Sequence, residues 1–155
     1  MTPHQKIKKL YLDTNIYNRP FDDQSQVRVR LETIAIFSIL HHIKRGDFQL
    51  LWSFMIDFEN SLNPYQDNRL EISMMSSIAG CWIEPDERIR DNGKRYEKAG
   101  IKPRDALHLA CAVHAGADIF ITCDDKLVKR AKLMKLPIQL FNPVDFSYSM
   151  EVRQL

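Results

Sequence analysis

Short apolar runs alternating with segments of helical periodicity constrain the fold of this chain more than any other feature. Ile7–Leu12, Phe48–Trp52, Cys81–Ile83, Asp118–Thr122 and Pro137–Leu140 are of strand length. Between the first two, Val27, Leu31, Ile34, Ala35, Ile39 and Ile43 recur at threes, fours and their sums, which predicts a helix over about Gln26–Arg45 with Gly46 as its stop. Strands of this kind joined by helices predict an α/β chain, with a central parallel sheet flanked by helices.

The remaining elements follow from local signals. Asn18–Asp23 holds Pro20 among Asn and Asp residues and is predicted as a loop. Ser53 is a cap for a helix that carries Glu59 and stops by Pro64, and a further helix is expected from Asp67 to about Ala79. Pro85–Ala99 is a charged helix interrupted by Gly93, which weakens the helical pattern. Pro103 suits the first turn of the helix Arg104–Ala115, whose interior is apolar almost all round and must therefore be buried. Asp124 opens an amphipathic helix to about Lys135, and Asn142–Leu155 receives no assignment. One domain over residues 1–155 accounts for the length.

Composition adds mainly exclusions. A chain 45% hydrophobic and 27% charged fits neither a disordered nor a membrane class. No apolar run approaches the ~20 residues of a membrane span, and Met1–Lys6 lacks the apolar core of a leader, so a cytoplasmic location is expected. Cys81, Cys111 and Cys123 are odd in number and widely spaced, and read as reduced core thiols rather than a zinc motif. The net charge of +2 leaves the question of a polyanionic partner to the distribution of charge.

Four acids stand where such a sheet presents ligands, just beyond strands or at the front of helices. Asp13 follows the first strand and is either a helix cap or a metal ligand, with Thr14 and Asn15 as hydrogen-bonding support. Glu59 lies two residues after Asp57, and the two cannot share a helix face. Asp105 occupies the first turn of the most apolar helix, and Asp124 follows the strand ending at Thr122, with Asp125 beside it as an alternative cap or ligand. Four converging carboxylates repel unless cations are present, and ligation by oxygen alone points to magnesium or manganese. All five histidines, His108 among them, are read as structural or surface residues.

The segments Leu12-Asp13-Thr14-Asn15, Ser53 through Asp57-Phe58-Glu59, Arg104 through Ala110 and Ile121 through Leu127 resemble, in order and spacing, the four acidic motifs of the PIN-domain family. The resemblance implies a single α/β/α domain and a magnesium- or manganese-dependent ribonuclease whose products carry a 5′-phosphate and a 3′-hydroxyl. Many small members are VapC-like toxins of type II toxin–antitoxin systems, so an RNA substrate, a cognate antitoxin and a homodimer are the implied partners. By motif, Asp13, Glu59, Asp105 and Asp124 would be the metal-binding acids, supported by Thr14, Asn15 and Thr122. Arg19, Lys102, Arg104, Lys126, Lys129 and Arg130 are candidates for phosphate contacts, and Lys94, Arg95 and Lys98 extend a strand path. Tyr17, Phe21 and Tyr96 are candidates for stacking on unpaired bases. Phosphotransferases with a nucleophilic Asp after the first strand carry a second Asp two positions on, where this chain has Asn15, and no G-x-G or P-loop pattern is present. A free-standing RNA-processing nuclease and an inactive RNA- or protein-binding module on the same fold remain as rivals.

Overall fold

The computed structural model describes residues 6–154. Met1–Gln5, which include most of the stretch read as lacking a leader's apolar core, and Leu155 lie outside the described residues. Five parallel strands, β1 (Lys8–Leu12), β2 (Phe48–Ser53), β3 (Ala79–Ile83), β4 (Ile119–Ile121) and β5 (Gln139–Phe141), form one sheet in the order β3-β2-β1-β4-β5. Leu10 pairs with Leu50 on one side and Ile119 on the other. From β1 the chain builds outward through β2 to β3, then returns to lay β4 on the other flank of β1. The carboxyl ends of β1 and β4 therefore meet at the switch point where open sheets of this type hold ligands.

Leu10, Tyr11 and Leu12 are all fully buried, as expected of a strand covered on both faces. The covering helices are α1 (Thr14–Asn18), α2 (Val27–Lys44), α3 (Phe54–Ser61), α4 (Gln66–Met75), α5 (Glu87–Lys98), α6 (Pro103–His114), α7 (Asp125–Leu133) and α8 (Pro143–Gln154). Among the described residues, no helix is long and apolar enough to cross a membrane. Cys111 and Cys123 are buried free thiols, and burial pushes both up to about 12.

Several helix starts follow from side-chain caps. Ser53 Oγ accepts the Ile56 N–H at 3.4 Å and opens α3, and Asp86 Oδ1 accepts the Arg88 N–H at 2.7 Å and opens α5. Gly93 lies inside α5 without breaking it. A Cβ placed there would come 3.1 Å from Leu107 Cδ2, so the glycine permits the close approach of α5 to α6.

Three elements depart from expectation. The helix expected to continue to Ala79 stops at Met75, a 3-10 turn covers Ser76–Ile78, and Ala79 already belongs to β3. β5 begins at Gln139 rather than Pro137, because its ladder pairs Gln139, Leu140 and Phe141 with Ile119, Phe120 and Ile121. The unassigned tail is α8: Asn142 Oδ1 accepts the Val144 N–H at 2.9 Å and Pro143 opens the helix. Phe146 then packs beside Phe48 and Phe141, with ring centroids 5.6 and 5.5 Å away.

Candidate active site

Asp13 leaves β1 in extended conformation and caps α1, its Oδ1 accepting the Thr14 N–H at 2.8 Å. Its other oxygen accepts from Thr122 Oγ1 at 2.8 Å and from Asn15 Nδ2 at 3.2 Å. The cap engages only Oδ1, and Oδ2 is held separately by Thr122 and Asn15. Asn15 also donates to Thr122 Oγ1 at 3.0 Å and accepts the Cys123 N–H at 3.0 Å, which stitches the loop after β4 to the end of β1. Burial raises the pKa of Asp13, although His108, Thr122 and the Thr14 N–H pull it down.

On α3 the two acids part. Asp57 turns back to accept the Trp52 indole N–H at 2.8 Å, whereas Glu59 accepts from Thr14 Oγ1 at 2.7 Å and from His108 Nε2. Burial opposes ionisation of Glu59, but His108, Thr14 and Arg104 outweigh it and hold the carboxyl below its ordinary range.

Asp105, in the first turn of α6, is pushed up to about 6 by burial and by the charges of Asp13, Asp124 and Glu59. Asp124 caps α7, accepting the N–H groups of Lys126 and Leu127 at 3.0 and 3.2 Å, and shares with Asp105 the lining of a cavity of about 150 Å³. Its neighbour Asp125 instead pairs with Arg28 at 3.0 Å and approaches Asn142 at 3.4 Å, facing α2 and α8.

The charges of Asp13, Glu59 and Asp124 thus bear on Asp105, reaching it from the end of β1, from α3 and from the loop after β4. Asp13 and Glu59 offer a divalent cation hard oxygen donors in a close group that does not include Asp105 or Asp124. One oxygen each of Asp13 and Glu59 and one nitrogen of His108 lie within 4.8 Å of one another.

The sequence profile of the PIN domain family matches residues 10–133 and so spans all four acids. The chain belongs to the PIN domain family. Among curated proteins none matches this sequence. Solved structures share the fold: FitAcB from Neisseria gonorrhoeae has a TM-score of 0.57 at 17% identity, covering 86% of this chain and 97% of that one. VapBC2 from Rickettsia felis, bound to a DNA fragment from its promoter, has a TM-score of 0.55 at 15% identity over 86% and 98%. VapBC-1 from nontypeable Haemophilus influenzae has a TM-score of 0.57 at 17% identity over 87% and 98%.

Around the acids of this PIN domain the basic residues divide. Lys102, Lys126 and Arg130 line the cavity of Asp105 and Asp124, with Arg130 anchored on the Gly100 carbonyl at 2.7 Å. Arg104 stands 3.9 Å from Glu59 and over the Phe58 ring. Lys129 does not line that cavity, and Arg19 is engaged by the buried Glu32 and by Asp22, both at 3.1 Å. Lys94, Arg95 and Lys98 are exposed along α5.

Two expectations are corrected. Tyr17 is buried beside Trp52 and Tyr96 on the inner side of α5, so neither offers a free ring for base stacking, whereas Phe21 packs on the core and stays half-buried. His108 is no bystander, because its ring reaches Glu59, Asp13 at 3.7 Å, Thr14 at 3.4 Å and Tyr11 at 2.6 Å. Burial disfavours its charge, but Glu59, Asp13 and Asp105 outweigh that and raise its pKa. The signal was its position three residues after Asp105, on the same helix face.

Proposed function

We propose that this PIN domain is a divalent-metal-dependent endoribonuclease and the toxin of a type II toxin–antitoxin pair. The pairing of Asp13 with Glu59, whose oxygens lie within 4.8 Å of one another, supports the reading, together with a cavity in which Asp105 and Asp124 stand among Lys102, Lys126 and Arg130. These four carboxylates would hold magnesium or manganese, which when bound supplies Lewis-acid activation of water and neutralisation of charge at the phosphodiester.

The chain's own residues do the rest. Thr122 and Asn15 fix the Asp13 carboxylate by hydrogen bonds, and Thr14 fixes Glu59, so the acids are set before any ligand arrives. Lys102 and Lys126 border the cavity of Asp105 and Asp124, where their ammonium groups would take phosphate oxygens of the strand. The fold likeness to VapBC2, VapBC-1 and FitAcB supports an antitoxin as protein partner.

The test is incubation of purified protein with a panel of single-stranded and structured RNAs. Cleavage with magnesium or manganese that stops on chelation, leaving 5′-phosphate ends, is expected. Cleavage indifferent to chelator, or a folded protein inert on every RNA, would overturn the reading.

A further inference from the structure

A buried chain of polar side chains runs behind the acids, from β2 through β1 to α6 and α3. Ser53 Oγ and the Tyr11 hydroxyl are 2.6 Å apart, the same hydroxyl is 2.6 Å from His108 Nδ1, and His108 Nε2 meets Glu59 Oε1. Ser53, Tyr11 and His108 are each no more than 1% exposed. The Tyr11 ring is stacked on Phe120, with centroids 5.3 Å apart and planes within 5°, so the hydroxyl has little freedom to leave the imidazole.

Proton directions along the chain follow from what each group can do. An ionised Glu59 only accepts, so Nε2 must carry the hydrogen between them. A hydroxyl both donates and accepts, so Tyr11 serves Nδ1 whichever way that bond runs. Both ring nitrogens are thereby engaged within the protein. His108 stands within 4.8 Å of oxygens of Asp13 and Glu59, as a ligand would, yet neither nitrogen has a lone pair free for an ion.

Resting on the reading of the four acids as a cation site, we propose that His108 is a positioning residue and not a metal ligand. Tyr11 orients its ring, and Nε2–H together with Thr14 holds Glu59 by Oε1, leaving Oε2, which the Arg104 guanidinium approaches only to 3.9 Å, as the oxygen for the cation. The imidazole edge also faces Asp13 at 3.7 Å, so it offsets repulsion between the two carboxylates before a cation is present.

Imidazole ¹⁵N spectra of the metal-free protein and of the protein titrated with magnesium test this directly. Nε2 is expected to be protonated throughout, with no resonance of a coordinated nitrogen at saturation. Tyr11→Phe, which keeps the stacked ring, should alter the Nδ1 resonance, raise the magnesium midpoint about tenfold, and lower kcat of any RNA cleavage with KM unchanged. His108→Gln puts an amide N–H in place of Nε2–H and should recover the midpoint to within about threefold, whereas His108→Leu, folded by circular dichroism, should not. An unprotonated or coordinated Nε2, or a wild-type midpoint in His108→Leu, overturns the proposal. The spectra need no substrate, so they decide the role of His108 even if no RNA is cleaved.

Discussion

Thr122 Oγ1 donates to Asp13 Oδ2 at 2.8 Å, joining the ends of two strands 109 positions apart in sequence. The same oxygen accepts from Asn15 Nδ2 and from the Asp124 N–H, so a single hydroxyl on the fully buried Thr122 ties one acid to the loop that presents another. Thr122→Val keeps the shape and removes the hydroxyl, leaving the part-buried Asp124 N–H without its acceptor and Asp13 Oδ2 with Asn15 alone. A cost of about 1–3 kcal/mol is expected, read as a melting temperature lower by several degrees in calorimetry. Cleavage should fall about 10–100-fold, and Thr122→Ser should restore most of it.

Asp105 makes metal-free stability depend on pH with a definite sign. Its folded pKa of about 6 lies above that of an unfolded aspartate, so the folded state binds the extra proton. Stability from this group is complete below about pH 4 and is lost as pH rises through about 6. Asp105→Asn removes the loss: in chelator it should melt above wild type at pH 7.5, by roughly 2–4 °C for about 1 kcal/mol after allowing for solvent screening of a half-buried group. The gap should close near pH 4, and magnesium should raise the melting temperature of wild type but not of Asp105→Asn.

Glu59 and Asp57 separate cleanly by mutation. Glu59→Gln should reduce cleavage at least about 100-fold, from the loss of a charge among the proposed cation-binding acids. Asp57→Asn keeps an acceptor for the Trp52 indole N–H and should leave the cleavage rate within about twofold. Equal losses in parallel single-turnover assays would contradict the division seen on α3.

The lysines of the cavity should act on binding. Lys102→Ala and Lys126→Ala are each expected to raise KM several-fold with little change in kcat, and to reduce the slope of log affinity against log salt by about 1. Arg130→Ala should in addition lower the melting temperature, because its guanidinium holds the Gly100 carbonyl at 2.7 Å. Binding of a labelled RNA across a salt series in calcium measures both.

The architecture was legible wherever periodicity and caps coincide. Ser53 announced α3, Pro103 announced α6, and the strand-end position of Asp13 anticipated the crevice. The choice of Glu59 over Asp57 was not, since it depends on which way each side chain turns from one short helix, a tertiary fact settled by Trp52 and Thr14. His108 escaped because a lone histidine on an apolar helix reads as part of the core, and only its place one turn after Asp105 points to the acids. Tyr17 and Tyr96 misled because an aromatic near a motif reads the same whether its ring is exposed or buried in the core. The last helix carried its own start signal in Asn142-Pro143, which the short β5 just ahead of it obscured.

Gly93 has no part in the chemistry, yet it governs the depth at which α6 lies. Leu107, the side chain a methyl at position 93 would press, stands on α6 between Asp105 and His108. A few tenths of an ångström gained there would be passed along one rigid helix to a carboxylate and an imidazole together. The geometric tolerance of the acid cluster is therefore set partly from behind, by a position that contributes only the absence of a side chain.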